Sequence, residues 1–245
     1  MEVISLSYFI SISFILVVLY LLFKNRQYTL PFDKIILKIF LYELIATIVV
    51  ALISYYLETP LSTFIPKNSL YYLFTENFFL VAPLEELSKF VAVYLGTSGL
   101  KNLRHKEDFI FYLIFSACIF SAIENLLYVF IYDQDLLLAF LRNFVSTPCH
   151  LFYSIMLGYF YTMYLEHNTY KIGYFLTGLS FASLLHGFMN FCLCYYTYTH
   201  SLFGLLFASI SLCFFYIVGF HLIKKHIEKA LLNLLPIPLE EDHYL

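Results

Sequence analysis

Apolar residues in this chain are gathered into long runs rather than scattered. Their approximate limits are 4–23, 35–57, 72–98, 109–132, 138–165, 172–196 and 201–223. Each run is roughly 20 residues or more, about what an α-helix rising ~1.5 Å per residue needs to cross the hydrocarbon core. The pattern predicts an all-α fold, a polytopic transmembrane helical bundle of about seven spans in a single domain. No internal repeat, low-complexity segment or soluble domain interrupts it. The polar residues of interest fall in a core of about 72–196. The residues from about 226 to 245, with Pro236, Pro238 and the acidic Glu240, Glu241 and Asp242, read as a short cytoplasmic tail.

Composition agrees with a membrane protein. Of 245 residues, 61% are hydrophobic, 21% aromatic and only 13% charged, and the mean hydropathy is +0.79. These values lie well outside the usage of soluble domains. The 28 Phe and 23 Tyr, with no Trp, read as packing and lipid-facing bulk rather than a cofactor box. The net charge of −3 and the lack of a basic face give no sign of nucleic acid as a partner. Cys118, Cys149, Cys192, Cys194 and Cys213 all lie in predicted spans without a CxxC pair, and read as small hydrophobes.

Basic residues in short connections stay on the cytoplasmic side of a membrane. Lys24, Arg26, Lys34 and Lys38 flank the first connection, Lys101, Arg104 and Lys106 the third and Lys171 the fifth, while Lys224, Lys225 and Lys229 follow the last span. The opposite connections carry only Lys67, with Glu58, Asp133 and Asp135. The expectation is an outside N-terminus and a cytoplasmic C-terminus. The first run has no basic residue before it and no small-residue cleavage site after it, so it reads as a retained span.

Ionisable residues inside the runs need an explanation. Each costs roughly 2.5–3.5 kcal/mol at mid-bilayer, against about 0.3–0.6 returned by a Leu, Ile or Phe. The third span carries Glu85, Glu86 and Lys89, the fourth Glu124, the fifth His150, and the sixth His186 with Asn190. Counted from the predicted cytoplasmic ends, Glu85 lies about 20 Å in, Glu124 about 22, His150 about 22 and His186 about 21. Four spans running alternately up and down therefore bring their polar residues to one level, nearer the outer surface. A single site built between helices has this arrangement.

Helical spacing adds detail. Lys89 is three residues from Glu86 and four from Glu85, so it reaches either carboxylate across one turn. Two neighbouring glutamates sharing one cation do not titrate alike; one is held ionised and the other is left poised to exchange protons, as a general base requires. Phe120 with Glu124, His150 with Ser154 and His186 with Asn190 share helix faces. Pro83 and Pro148 each stand two residues before an ionisable one and remove a backbone bond nearby. Small residues on the fourth and sixth spans, such as Ser116, Ala117, Gly178 and Gly187, let helices approach closely.

Simpler readings stand beside this one. The whole set could be a structural polar network that fixes helix packing, and a lone His186 would more often be a packing histidine. Glu43 and Glu76 read as interfacial or structurally paired groups, and Arg142 as a residue reaching the headgroups. A proton-coupled transporter also uses intramembrane glutamates and histidines, but usually shows inverted repeats.

The elements EELSK at 85–89, FSAIEN at 120–125, PCH at 148–150 and HGFMN at 186–190 together resemble the PrsW family of intramembrane proteases, relatives of the CAAX-processing endopeptidases. The resemblance covers roughly residues 80–192. Asn190 departs from the acid common at that position in PrsW proteins and is similar to the CAAX-protease variant. Glu124 follows the PrsW pattern.

The resemblance implies an endopeptidase in which Glu85 activates water, Glu86 is held by Lys89 as an orienting carboxylate, and Glu124 and His150 complete the water-activating group. His186 and Asn190 would donate to the developing oxyanion. No cofactor is the favoured expectation, since no HExxH is present; zinc is the alternative, with Glu85, Glu124, His150 and His186 as candidate ligands. The expected partners are the lipid bilayer and a membrane-anchored protein, an anti-sigma-factor-like regulator cut near its extracytoplasmic side. The expected location is the cell membrane, the cytoplasmic membrane of a bacterium. A scaffold of the same fold without chemistry would lack the first glutamates, and both are present.

Overall fold

The computed structural model describes residues 2–24, 32–98, 108–133, 135–166 and 169–232, with side chains in most of these. Arg26, Lys101, Arg104, Lys106 and the tail prolines and acids lie outside the described residues, as do the side chains of Lys224, Lys225 and Lys229.

The described chain is helical, with no strand. Its α-helices are α1 (Glu2–Lys24), α2 (Phe32–Phe64), α3 (Leu70–Thr75), α4 (Ala82–Thr97), α5 (Asp108–Ile131), α6 (Leu136–Leu141), α7 (Thr147–Glu166), α8 (Lys171–Thr199) and α9 (Leu202–Leu232). Two π-helical segments, Glu76–Val81 and Arg142–Ser146, join α3 to α4 and α6 to α7 without a break. Seven helical rods result, one for each apolar run. Four helices are long and apolar enough to cross a membrane by length and composition: Leu6–Lys24, Lys34–Phe64, Asp108–Ile131 and Lys171–Thr199. The second rod extends past its predicted end at 57 to Phe64, through Pro60.

Both π segments have the same cause. Pro83 and Pro148 are each the second residue of the helix that follows, and a proline ring collides with the carbonyl four residues back. The chain widens by one residue immediately before each ring, so that Ala82 N–H bonds Asn77 O and Thr147 N–H bonds Arg142 O, five residues back in both cases. Glu85 and His150 therefore stand in the first turn of a freshly started helix.

The exterior is apolar and the interior partly polar, the reverse of a water-soluble bundle. Leu16, Val17 and Tyr20 on α1, Ile45 and Ile48 on α2, and Phe203, Leu206 and Ile210 on α9 are exposed, while Glu43, Glu86 and Lys89 are fully buried. Packing is closest between α7 and α8, α2 and α4, and α5 and α7. Glycine permits the first of these and one further approach: a Cβ on Gly178 would lie 2.6 Å from Phe160 Cβ on α7, and one on Gly187 would lie 3.0 Å from Asn77 O in the first π segment. Towards the ends joined by connections 99–107 and 167–170, Phe90, Phe109, Tyr161 and Phe175 form an aromatic floor. Its ring centroids are 4.2 Å apart for Phe109 and Tyr161 and 4.5 Å for Phe90 and Phe175.

Candidate active site

Glu85 and Glu86 on α4, Glu124 on α5, His150 on α7 and His186 on α8 meet above that floor. Lys89 sits at the centre with no exposed side-chain area. Its ammonium donates to Glu86 Oε1 at 2.7 Å and to His150 Nδ1 at 3.0 Å, and lies 4.5 Å from the Phe120 ring centroid. The sequence left open which glutamate the lysine would take; the structure pairs it with Glu86.

These bonds assign the histidine protons. An ammonium only donates, so His150 Nδ1 accepts and its proton sits on Nε2, which donates to Glu124 Oε2 at 3.1 Å. Glu86 Oε1 also takes the Nδ1–H of His186, at 2.9 Å. The bare Nε2 of His186 then faces Glu85 Oε2 at 3.6 Å. Tyr153 stacks on His186 with centroids 5.0 Å apart, and the His186 and His150 rings meet edge to face at 4.9 Å. The imidazoles are thus held on two sides, by hydrogen bonds and by rings.

Glu85 is the group left over. Its Oε2 is buried with no hydrogen-bond partner. Three carboxylates, those of Glu85, Glu86 and Glu124, face two cations, Lys89 and Arg142, and Lys89 is committed to Glu86 while Arg142 is paired with Glu124. Small exposures show where the cluster opens. The side chains of Glu85, Glu124 and Arg142 are 11%, 16% and 15% exposed, whereas those of Glu86 and Lys89 are wholly buried and His186 is 2% exposed. The mouth is on the Glu85, Glu124 and Arg142 side.

Asn190, one turn beyond His186 on the same face of α8, is half-buried and makes no hydrogen bond among the described residues. The Nδ1–H of His186 is turned to Glu86 rather than to an open position.

One residue differs from expectation, and a second takes one of its two expected readings. Arg142 does not reach for headgroups: it pairs with Glu124, donates from Nε to Asn125 Oδ1 at 3.2 Å and lies 4.1 Å from the Tyr128 ring centroid. Eight residues separate it from His150, about 80° around a regular helix, so spacing alone was a weak signal. Glu43 is not interfacial: it is fully buried on α2 and accepts a hydrogen bond from Ser116 Oγ, which also approaches Lys89 O at 3.3 Å. Glu76 is a paired group as expected, taking the Tyr72 hydroxyl at 3.2 Å.

A divalent metal ion finds a donor set here. Glu85, His150 and His186 each offer a ligand atom, all within 4.8 Å of one another. Two of these atoms, Glu85 Oε2 and His186 Nε2, are free of other bonds, and their 3.6 Å separation suits two ligands each about 2.1 Å from one tetrahedral ion. His150 would join by giving up Lys89 or Glu124. Glu124, in the expected ligand set, is outside this group, and its Oε2 is paired with Arg142 and His150.

Fold and site define a helical membrane bundle built around a buried carboxylate and imidazole centre. The family described as PrsW family intramembrane metalloprotease matches residues 34–220, and the chain belongs to it. Two curated relatives are named Protease PrsW. The one from Clostridioides difficile is 34% identical over 97 residues, covering 38% of this chain and 41% of the relative. The one from Oceanobacillus iheyensis is 30% identical over 121 residues, covering 49% of this chain and 55% of the relative. The matched stretches thus span about half the length of these relatives. No solved structure gives a significant match.

Proposed function

We propose that this chain is an intramembrane endopeptidase that hydrolyses a peptide bond of a membrane-anchored protein near its extracytoplasmic side. The observation that carries the reading is the partnerless Glu85 carboxylate, buried at the mouth of the cluster and facing the bare nitrogen of His186. Glu43 and Glu86 also keep one unpartnered oxygen, but each has its other oxygen bonded, whereas Glu85 has no side-chain hydrogen bond among the described residues.

Glu85 takes a proton from a water in the mouth as the water oxygen bonds the scissile carbonyl carbon, and the carbonyl π pair moves to its oxygen. His186, fixed by Glu86 and Tyr153, accepts a hydrogen bond from the same water. As the carbon–nitrogen bond breaks, Glu85 returns the proton to the leaving amine. Lys89 holds Glu86 and His150 in register for this, and Glu124 orients His150. Asn190 supplies an amide donor to the bound segment. We favour this metal-free glutamate chemistry; a zinc-class ion held by Glu85, His150 and His186 would supply carbonyl polarisation and a more acidic bound water.

Orientation enters the proposal with the substrate. Lys24, Lys34 and Lys38 are exposed, consistent with a cytoplasmic first connection, and the aromatic floor closes the side of the site toward that face. The mouth then opens outward. A single-span regulator of the anti-sigma type is the substrate class this geometry and the family together favour.

The test is cleavage of a candidate single-span protein by the reconstituted chain, by Glu85→Gln and by His186→Ala, each with and without a chelator. Both variants are expected to lose at least about 10²-fold in kcat, with the wild-type rate insensitive to chelation. Wild-type rates in both variants would refute the hydrolytic site. Loss on chelation with recovery on zinc would refute the metal-free chemistry alone.

A further inference from the structure

The donors in the cluster are nearly all spent. His150 gives its N–H to Glu124, His186 gives its own to Glu86, and Lys89 is shared among Glu86, His150 and the Phe120 ring. Among the described residues Arg142 is an exception, as is the half-buried amide of Asn190. A guanidinium carries five N–H groups in a fixed plane, and only Nε has an aligned acceptor, Asn125 Oδ1 at 3.2 Å. Nη2 is buried against Glu124 Oε2 in the ion pair, and the remaining N–H groups have no acceptor among the described residues.

The surroundings hold that plane firmly. Asn125 is fully buried, and its amide nitrogen donates to Ser11 O at 2.9 Å and Thr147 Oγ1 at 3.1 Å, which leaves Oδ1 aimed at the arginine. Tyr128 covers one face of the guanidinium at 4.1 Å. Arg142 itself comes from the π segment that Pro148 imposes, which turns it inward. Three contacts keep the group at the level of Glu124, at the mouth.

We propose that Arg142 is a catalytic residue whose Nη groups donate to the scissile carbonyl oxygen of the bound segment. The inference rests on the endopeptidase reading and deepens it. When water bonds the carbonyl carbon and its proton passes to Glu85, the carbonyl π pair collects on the oxygen facing Arg142. The arginine keeps its protons and stabilises that charge by hydrogen bonds, which is worth most in a dry site. The rival acceptor with the same chemistry is a lipid phosphate, and the pinned geometry disfavours it.

The experiment uses the full chain in phosphatidylcholine nanodiscs. The probe is a Leu/Ala transmembrane peptide carrying a phosphinate in place of one backbone amide near its outer end, compared with the unmodified peptide. The wild type is expected to bind the phosphinate peptide about 10²-fold more tightly. Arg142→Gln is expected to lose most of that preference, and Arg142→Lys, which keeps the charge beside Glu124, to fall between. A preference undiminished in either variant overturns the proposal; should Arg142→Gln not fold, Arg142→Lys decides it. A variant that keeps the preference but loses melting temperature only in phosphatidylglycerol discs shows a headgroup role and also overturns it. A wild type with no preference at all refutes the endopeptidase reading beneath it.

Discussion

Lys89 is the residue on which the arrangement turns. It is wholly buried, and its ammonium is shared by Glu86, His150 and a ring face. Removing one partner of a buried ion pair typically costs about 3–5 kcal/mol, because the other charge stays behind unpaired. Lys89→Met is expected to lower thermal stability in detergent by that order and to abolish cleavage; an unchanged melting temperature would show that the pair is not buried as described. Ser116→Ala leaves the Glu43 carboxylate without its hydroxyl donor, at a cost of about 1–3 kcal/mol, read in the same melting experiment. The spacing in EELSK showed that Lys89 would meet a glutamate, but not which one. His150, 61 residues away in sequence, decides between them, and no local pattern carries that. The Glu43 contact is legible in depth: Glu43, Lys89 and Ser116 all lie roughly 11–14 Å from the cytoplasmic ends of their runs.

Among the elements, the two broken rods bring Glu85, Glu86, Lys89, Arg142 and His150 to the cluster. A π segment followed by proline starts α4 and α7 one residue out of register, an offset of about 100° around the helix axis. Arg142 is brought round toward Glu124 by that offset; its place near the outer end of the fifth run is what pointed to the headgroups. Deleting Phe144 restores an α register before Pro148, and is expected to cut kcat by at least about 10²-fold while helix content by circular dichroism stays constant; retained activity would show the π segment to be incidental. Gly178→Val forces α7 and α8 apart at Phe160. Overpacking of this kind costs about 1–3 kcal/mol, and here it also draws His186 away from Glu86, so both melting temperature and cleavage are expected to fall. The apolar runs made the seven rods legible, because hydrocarbon thickness sets their length. The π offsets were not, since proline marks a break without saying how the chain resolves it.

At the scale of the molecule, an apolar exterior, an aromatic floor and a polar mouth together predict a one-sided protein. Lys67→Cys is expected to react with a membrane-impermeant thiol reagent added outside intact cells, and Lys38→Cys only after the membrane is opened; the reverse pattern would invert the bundle and move the cut to the cytoplasmic side. The central claim is that α4, α5, α7 and α8 contribute to one hydrolytic centre rather than several local polar contacts. Residues that act as a unit are grossly non-additive in their effects on rate. The direct measurement is therefore kcat for Glu85→Gln, for His186→Ala and for the double variant against one membrane-anchored substrate. A double variant no slower than the slower single variant is the outcome this structure predicts. Rate losses that multiply would mean that the two side chains act independently, and would contradict it.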